Sequence, residues 1–383
     1  CVCGRSEDAL ALRTRPPRRV TAGQRVLVHD ADAASDAEEV EAMLAAQPLH
    51  QRRDLLEIRE ILARAGIMRP VALKGAFLAW HAYAQPALRP MGDLDLLIEV
   101  EQALSAFEAL KSAGYTQVKP FELSPTDTVR LLKHLPPLAS PRGTMVELHM
   151  RCWPEPTAQN PGPPPRDAWM RQRARQWGDD DPVLYPENDD MLVHLVVHGA
   201  YDFRLNCGPR ALLDCVAMAD RFPPDWDAFW RMGHDEGWEN GAALLFALAD
   251  MWIRPGLLES CHCQLFVPND VLNGAPDLLL QEPSQSTAAQ ALADMRRALT
   301  EGSFFAAIRS RMAGKGIGGP QAPRDFAGHG GRTRWLAGKA GAVLAAFASG
   351  ETRSCAAGMN SLRGWLTSPA ANGRDSPAPP PGL

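Results

Sequence analysis

The chain has 383 residues, 45% of them hydrophobic and 22% charged, and a net charge of −5. That is globular composition with enough apolar material for a sizeable core, and the length points to two domains with tails. Acids and bases are interspersed, without the basic field that tracks a phosphate backbone, which argues against long nucleic acid as a partner. The eight cysteines show no Cys-x-x-Cys spacing and no disulfide framework, so a reduced, cytoplasmic setting is expected. No apolar run reaches the ~20 residues of a membrane span. The nearest, Trp335 to Ala348, is short and holds Lys339. No signal-peptide pattern opens the chain, which begins at Cys1 rather than Met and so reads as a fragment or a processed form.

Residues 1–33 read as a poorly ordered extension, in which Val26 to Val28 is an apolar segment without a partner. From Ala34 the pattern turns helical, with Val40, Met43 and Leu44 on one stripe. A second helix is expected from Arg52 to Ala65, with Leu55, Ile58, Ile61 and Leu62 inward and Gly66 as its stop.

The stretch that follows carries the chemistry. Val71 to Leu73 is a short apolar strand, closed at once by Lys74-Gly75. Ala76 to Ala84 is apolar at helical spacing and ends at Gln85-Pro86. After the turn Arg89-Pro90-Met91-Gly92 comes Asp93-Leu94-Asp95-Leu96-Leu97-Ile98-Glu99, a strand entering the core from an exposed, acidic rim. Residues i and i+2 of a strand share a face about 6.5–7 Å apart, so Asp93 and Asp95 present two carboxylates together. Such a pair needs a cation or a shared proton, and its hard oxygens suit Mg²⁺; the plainer reading is a solvated turn with an acidic strand start.

Glu101 to Ala113 reads as a helix with Leu104, Phe107 and Leu110 inward, ended by Gly114. Tyr115 to Val118 can be a strand, and Thr126 to Leu135 a helix broken by Pro136-Pro137. Thr144 to Met150 then alternates as a strand, placing Glu147 and His149 on one face. Residues 34–153 thus make one α+β domain, and the six prolines of residues 154–165 a linker.

Residues 166–255 read as a helical module. Its expected pieces are Arg166 to Trp177, a strand at Val183 to Tyr185, and a helix Met191 to His198 capped by Asn188-Asp189-Asp190. They continue with Arg210 to Arg221, carrying Leu212, Leu213, Val216 and Ala219 on one side, then Trp226 to Gly237 and Asn240 to Ile253. His194 and His198 are four apart, but His-Leu-Val-Val-His lacks the glutamate of a zinc protease, so one of them is expected to line a cleft. Asp214 is an acid in an apolar helix, either partnered in the core or touching substrate. Residues 256–383 read as weakly structured, with helices at Thr287 to Thr300 and Phe304 to Met312, a glycine-rich stretch Gly314 to Gly331, and a disordered tail from Ser368.

Leu-Lys-Gly before a helix, Arg…Gly-Asp-x-Asp followed by aliphatics, and then Val-Glu-Leu-His, in that order, resemble the polymerase-beta-like nucleotidyltransferase superfamily. The closer resemblance is to its bacterial branch of uncharacterised nucleotidyltransferases, which has Leu-Lys-Gly where better-characterised members have Gly-Ser. It runs from about Leu55 to about Asp220. It implies a polymerase-beta-like sheet with flanking helices, followed by a helical module and a disordered tail. By that resemblance Asp93 and Asp95 are the metal-binding pair and Glu147 the third carboxylate. Together they would hold two Mg²⁺ (or Mn²⁺) ions about 4 Å apart, with Glu147 taking a proton from the acceptor. Gly75 would let the backbone approach a triphosphate at a helix N-terminus, or serve only a tight turn, with Lys74 as a cation beside it. Arg89 would hold a phosphate or neutralise Asp93 and Asp95, and His149 would be a site residue or a packed strand histidine.

The expected activity is Mg²⁺-dependent transfer of an NMP group from an NTP to an unidentified acceptor hydroxyl or similar nucleophile. A small molecule or peptide of a biosynthetic cluster, with partner proteins of that cluster, is the acceptor setting the resemblance suggests; no membrane partner is expected. The competing class is a catalytically inactive nucleotide-binding or partner-binding protein on the same fold. A third is an enzyme that transfers AMP to another protein.

Overall fold

A computed structural model of the chain describes residues 30–157, 162–281, 283–300 and 349–368. The chain divides into two units, Cys1–Leu44 and Ala45–Leu383. The segment Val26 to Val28, the stretches Phe304 to Met312 and Gly314 to Gly331, and the tail beyond Ser368 lie outside the described residues. Helix α1, Asp30–Arg64, runs through Pro48, where two helices were expected. Its later turns set Leu55, Ile58 and Leu62 into the core, and Gly66, at φ 82°, turns the chain out of it.

The second unit is α+β, built on a five-stranded sheet in the order β1-β2-β5-β4-β3. The strands are β1 Val71–Ala72, β2 Asp93–Leu97, β3 Thr116–Gln117, β4 Leu138–Ala139 and β5 Met145–His149. Among these five strands β2 and β5 pair parallel, and the other pairings are antiparallel. Alternation sorts the two central strands: Leu94, Leu96, Val146 and Leu148 are buried on one face, and the acids take the other. Helix α2, Ala103–Ser112, contributes Phe107 and Leu110 to the core. Beyond β1 the chain at Leu184 lies parallel to Val71 and accepts a hydrogen bond from the Ala72 N–H, so this sheet edge is covered.

Several elements differ from expectation. Helix α3, Pro125–Leu131, is capped by the Ser124 hydroxyl and ends four residues early, because the next residues are drawn into the sheet. The Leu135 N–H bonds to the Leu148 carbonyl, and directly after the prolines the chain becomes β4, a strand the Pro-Pro pair conceals. Helix α4 covers only Asp167–Arg173, since Arg175 pairs with Tyr185 in an extended bridge.

Helix α5, Asn188–Val197, starts earlier than expected: Glu187 is its N-cap, and the expected capping residues Asp189 and Asp190 sit inside its first turn, where the helix dipole favours acids. Helix α6, Arg210–Arg221, turns Leu212, Cys215 and Met218 inward, while Leu213 is 45% exposed and leaves the stripe read from the sequence. Helix α7 is Trp226–Glu236. Helix α8, Glu239–Trp252, is buried along Asn240 to Ala249 and forms the centre of the helical module.

The C-terminal region holds more helix than its weak pattern suggests: α9 Leu257–Ser260, α10 Asn269–Leu279, α11 Pro283–Thr300 and α12 Gly350–Thr367. Helix α12 packs small residues, Cys355, Ala356 and Gly358, against α10. A Cβ on Gly274 would stand 3.0 Å from the Gly358 Cα, so glycine is required at this crossing. Among the described residues, no helix is long and apolar enough to cross a membrane, and the cysteines are free.

A buried polar cluster joins α1 to the segment beside β1. Arg52 Nη2 lies 2.6 Å from Asp181 Oδ1, and Asp181 Oδ2 meets His81 Nε2 at 3.2 Å and the Tyr185 hydroxyl at 3.1 Å. Burial alone would raise the Asp181 pKa, but His81, Arg52 and the Val183 N–H outweigh it and bring it down to about 2. A carboxyl whose folded pKa is depressed stabilises the fold above its unfolded value, and that contribution disappears as pH falls through the folded one. Asp181→Asn is therefore expected to cost on the order of 1–2 kcal/mol at pH 7, after allowance for partial solvent contact. The penalty vanishes between about pH 4 and pH 2. Urea melts of both proteins across this range check it, and a gap independent of pH would show that the charge of Asp181 does not matter.

Candidate active site

The site rests on one register. In the parallel pair β2–β5, Asp95 stands opposite Glu147 and Leu97 opposite His149. Register partners in a parallel pair point to the same face, and alternation adds Asp93 to it. Two strands with more than forty residues between them thus bring Asp93, Asp95, Glu147 and His149 together. Ligating atoms of Asp95, Glu147 and His149 lie within 4.8 Å of one another.

Asp95 is the electrostatic centre. Its Oδ1 is 2.6 Å from His149 Nε2 and its Oδ2 is 3.0 Å from Lys74 Nζ, and the carboxylate is 4% exposed. Burial would raise its pKa, but Lys74 and His149 outweigh burial and hold it well below the usual carboxylate range. Asp93 behaves in the opposite way. Burial, reinforced by repulsion from Asp95, pushes it up to about 6. Glu147 has Oε2 3.4 Å from His149 Nε2 and 3.8 Å from His134 Nε2. These contacts overcome its burial and lower its pKa, so it is ionised near neutrality.

The glycine turn differs in detail from the expectation. Lys74 adopts φ 44°, a conformation side-chain-bearing residues rarely take, and this folds its ammonium back onto Asp95. The helix after it is a single turn, Gly75–Phe77, continuing as a π-helical stretch, Leu78–Ala82. The N–H groups of Ala76, Phe77 and Leu78 already bond to the carbonyls of Leu73 and Lys74, so the helix start has fewer free donors for an anion. Gly75 itself is needed for packing: a Cβ there would stand 2.7 Å from Met91 Cγ. The Met91 carbonyl is gripped by Gln47 and Gln51, which holds the turn that delivers Asp93.

Arg89 does not neutralise the aspartates. It makes a bidentate pair with Asp214 of α6, Nε–Oδ1 2.7 Å and Nη2–Oδ2 2.9 Å, and Tyr83 adds a bond to the same carboxylate at 2.8 Å. Asp214 is thus a partnered acid at the cavity wall. His194 and His198 stack at 5.9 Å; His198 lines the cavity, and His194 is buried behind it, kept neutral mainly by desolvation.

Strands and helical module together line a pocket of about 350 Å³. Lys74, Gly75, Arg89, Asp93, Asp95 and Glu147 all line it. The opposite wall adds residues not singled out in the sequence, among them Lys133, His134, Phe203 and Arg210. Lys133 pairs with Asp202 at 2.7 Å and sits over the Phe203 ring, and Arg210 donates to the Pro90 carbonyl. No local pattern marks them, because they belong to other elements than the acids. A larger cavity, about 410 Å³, lies against α1 and β1; arginines and apolar side chains line it, with no carboxylate to hold a cation.

A family model described as an uncharacterised nucleotidyltransferase matches residues 24–254, more than half of the chain and wider than the resemblance read from the motifs. The chain belongs to this nucleotidyltransferase family. No curated protein matches it significantly. The family match covers the sheet, the turn bearing Lys74 and Gly75, and helices α5 to α8, so every residue lining the acidic cavity falls inside it.

Proposed function

We propose that the protein transfers a nucleotidyl group from an NTP, with Mg²⁺ or Mn²⁺, to a hydroxyl or similar nucleophile of a small molecule or peptide. The observation that supports this most is the register that sets Glu147 against Asp95 on the face of Asp93, inside a pocket. Oxygen ligands from three carboxylates are the donor type that hard divalent cations take, and a half-buried Asp93 with a raised pKa marks negative charge short of a counterion. Asp93, Asp95 and Glu147 would hold the cation, which when bound would neutralise charge on the phosphates.

The chain's own groups supply the rest. Lys74, Gly75 and Arg89 border the phosphate end, and Lys133 and Arg210 add positive charge on the other wall. Glu147, ionised and open to the cavity, accepts the acceptor's proton at a carboxylate oxygen.

Incubation with each α-³²P-labelled NTP, Mg²⁺ and a cell extract as acceptor source tests the reading. Label transferred to a small molecule or peptide, and lost with Asp93→Asn, supports it. Nucleotide binding without transfer from any NTP would instead favour the inactive nucleotide-binding class.

A further inference from the structure

We infer that Lys74 takes the place of a second cation, so that the site binds one divalent ion per nucleotide. This rests on the nucleotidyltransferase reading above. A carboxylate that bridges two ions must offer an oxygen to each. Asp95, central between Asp93 and Glu147, already shares each oxygen with a donor: Oδ2 holds the Lys74 ammonium at 3.0 Å and Oδ1 holds His149 Nε2 at 2.6 Å, so a second divalent ion at this carboxylate would stand against the positive charge of Lys74. Lys74 is no loose surface cation, since its side chain is 14% exposed and it faces Asp93 and Glu147 as well. Its backbone stands at φ 44°, where glycine would fit without strain, yet a lysine occupies the position.

Asp93 makes no hydrogen bond or ion pair among the described residues, and one Glu147 oxygen is likewise uncommitted. These oxygens and the phosphates of the nucleotide complete the shell of a single ion. A second one at Asp95 would stand against the ammonium of a buried ion pair.

The test counts Mn²⁺ against nucleotide. Equilibrium dialysis of the full chain with Mn²⁺ and a non-hydrolysable methylene analogue of ATP gives the ratio bound, with Asp93→Asn/Glu147→Gln as the blank. A ratio of one in the wild type, rising towards two in Lys74→Met, is the expected result. Lys74→Gly, which relieves the φ 44° backbone, serves if Lys74→Met does not fold. A ratio of two in the wild type, or of one with and without Lys74, overturns the inference and leaves metal-dependent transfer standing. No Mn²⁺ above the blank removes the nucleotidyltransferase reading itself.

Discussion

Glu147→Gln is expected to leave the fold intact and to lower nucleotidyl transfer by roughly 10²–10⁴-fold, the loss typical of a missing general base. The side chain is 22% exposed and points into the cavity, and its neighbours are the His149 and His134 rings at 3.4 and 3.8 Å. An amide keeps the shape and loses the charge and the proton affinity. Because the Glu147 pKa lies below its ordinary value, the wild type carries an ionised base across the neutral range. The loss should therefore fall on kcat far more than on KM for the NTP, at every pH from 6 to 8. Single-turnover kinetics separate the two, and transfer at the wild-type rate would show that the proton leaves by another route.

Asp214→Ala is expected to cost about 3–5 kcal/mol of stability, because it strands a buried guanidinium. Arg89 is 8% exposed, and both its Nε and Nη2 depend on this carboxylate, as does the Tyr83 hydroxyl. Arg89 opens the turn that ends at Asp93, so the same variant should also weaken NTP binding. Arg89→Met/Asp214→Leu removes both charges together and is expected to recover most of the stability without the binding, since apolar groups can replace a buried pair at little net cost. Denaturant melts and calorimetry separate the two effects. A loss below about 1 kcal/mol for Asp214→Ala would mean that the pair is solvated in the native protein.

How much of this was legible in the chain differs from element to element. β2 and β5 announce themselves by period-two alternation, and α2 by an apolar stripe with a terminal glycine, because these are properties of neighbours in sequence. β4 was hidden behind Pro136-Pro137, and α12 behind a face of small residues whose burial depends on meeting Gly274. Leu213 and Leu212 look alike in the chain, and only the direction of the neighbouring helices decides which is buried.

The sequence by itself determined the α+β class, the acidic strand mouth, the pairing of Asp93 with Asp95 on one face, and the presence of a third acid on a matching strand. Local covalent geometry sets each of these. Only the tertiary structure decided that β5 lies parallel to β2 in the register that places Glu147 against Asp95, that Lys74 turns back onto Asp95, and that Arg89 belongs to Asp214. Each of those is a choice of partner among distant groups. Many such pairings satisfy the same local pattern, and the one adopted is selected by the packing and desolvation of the whole core.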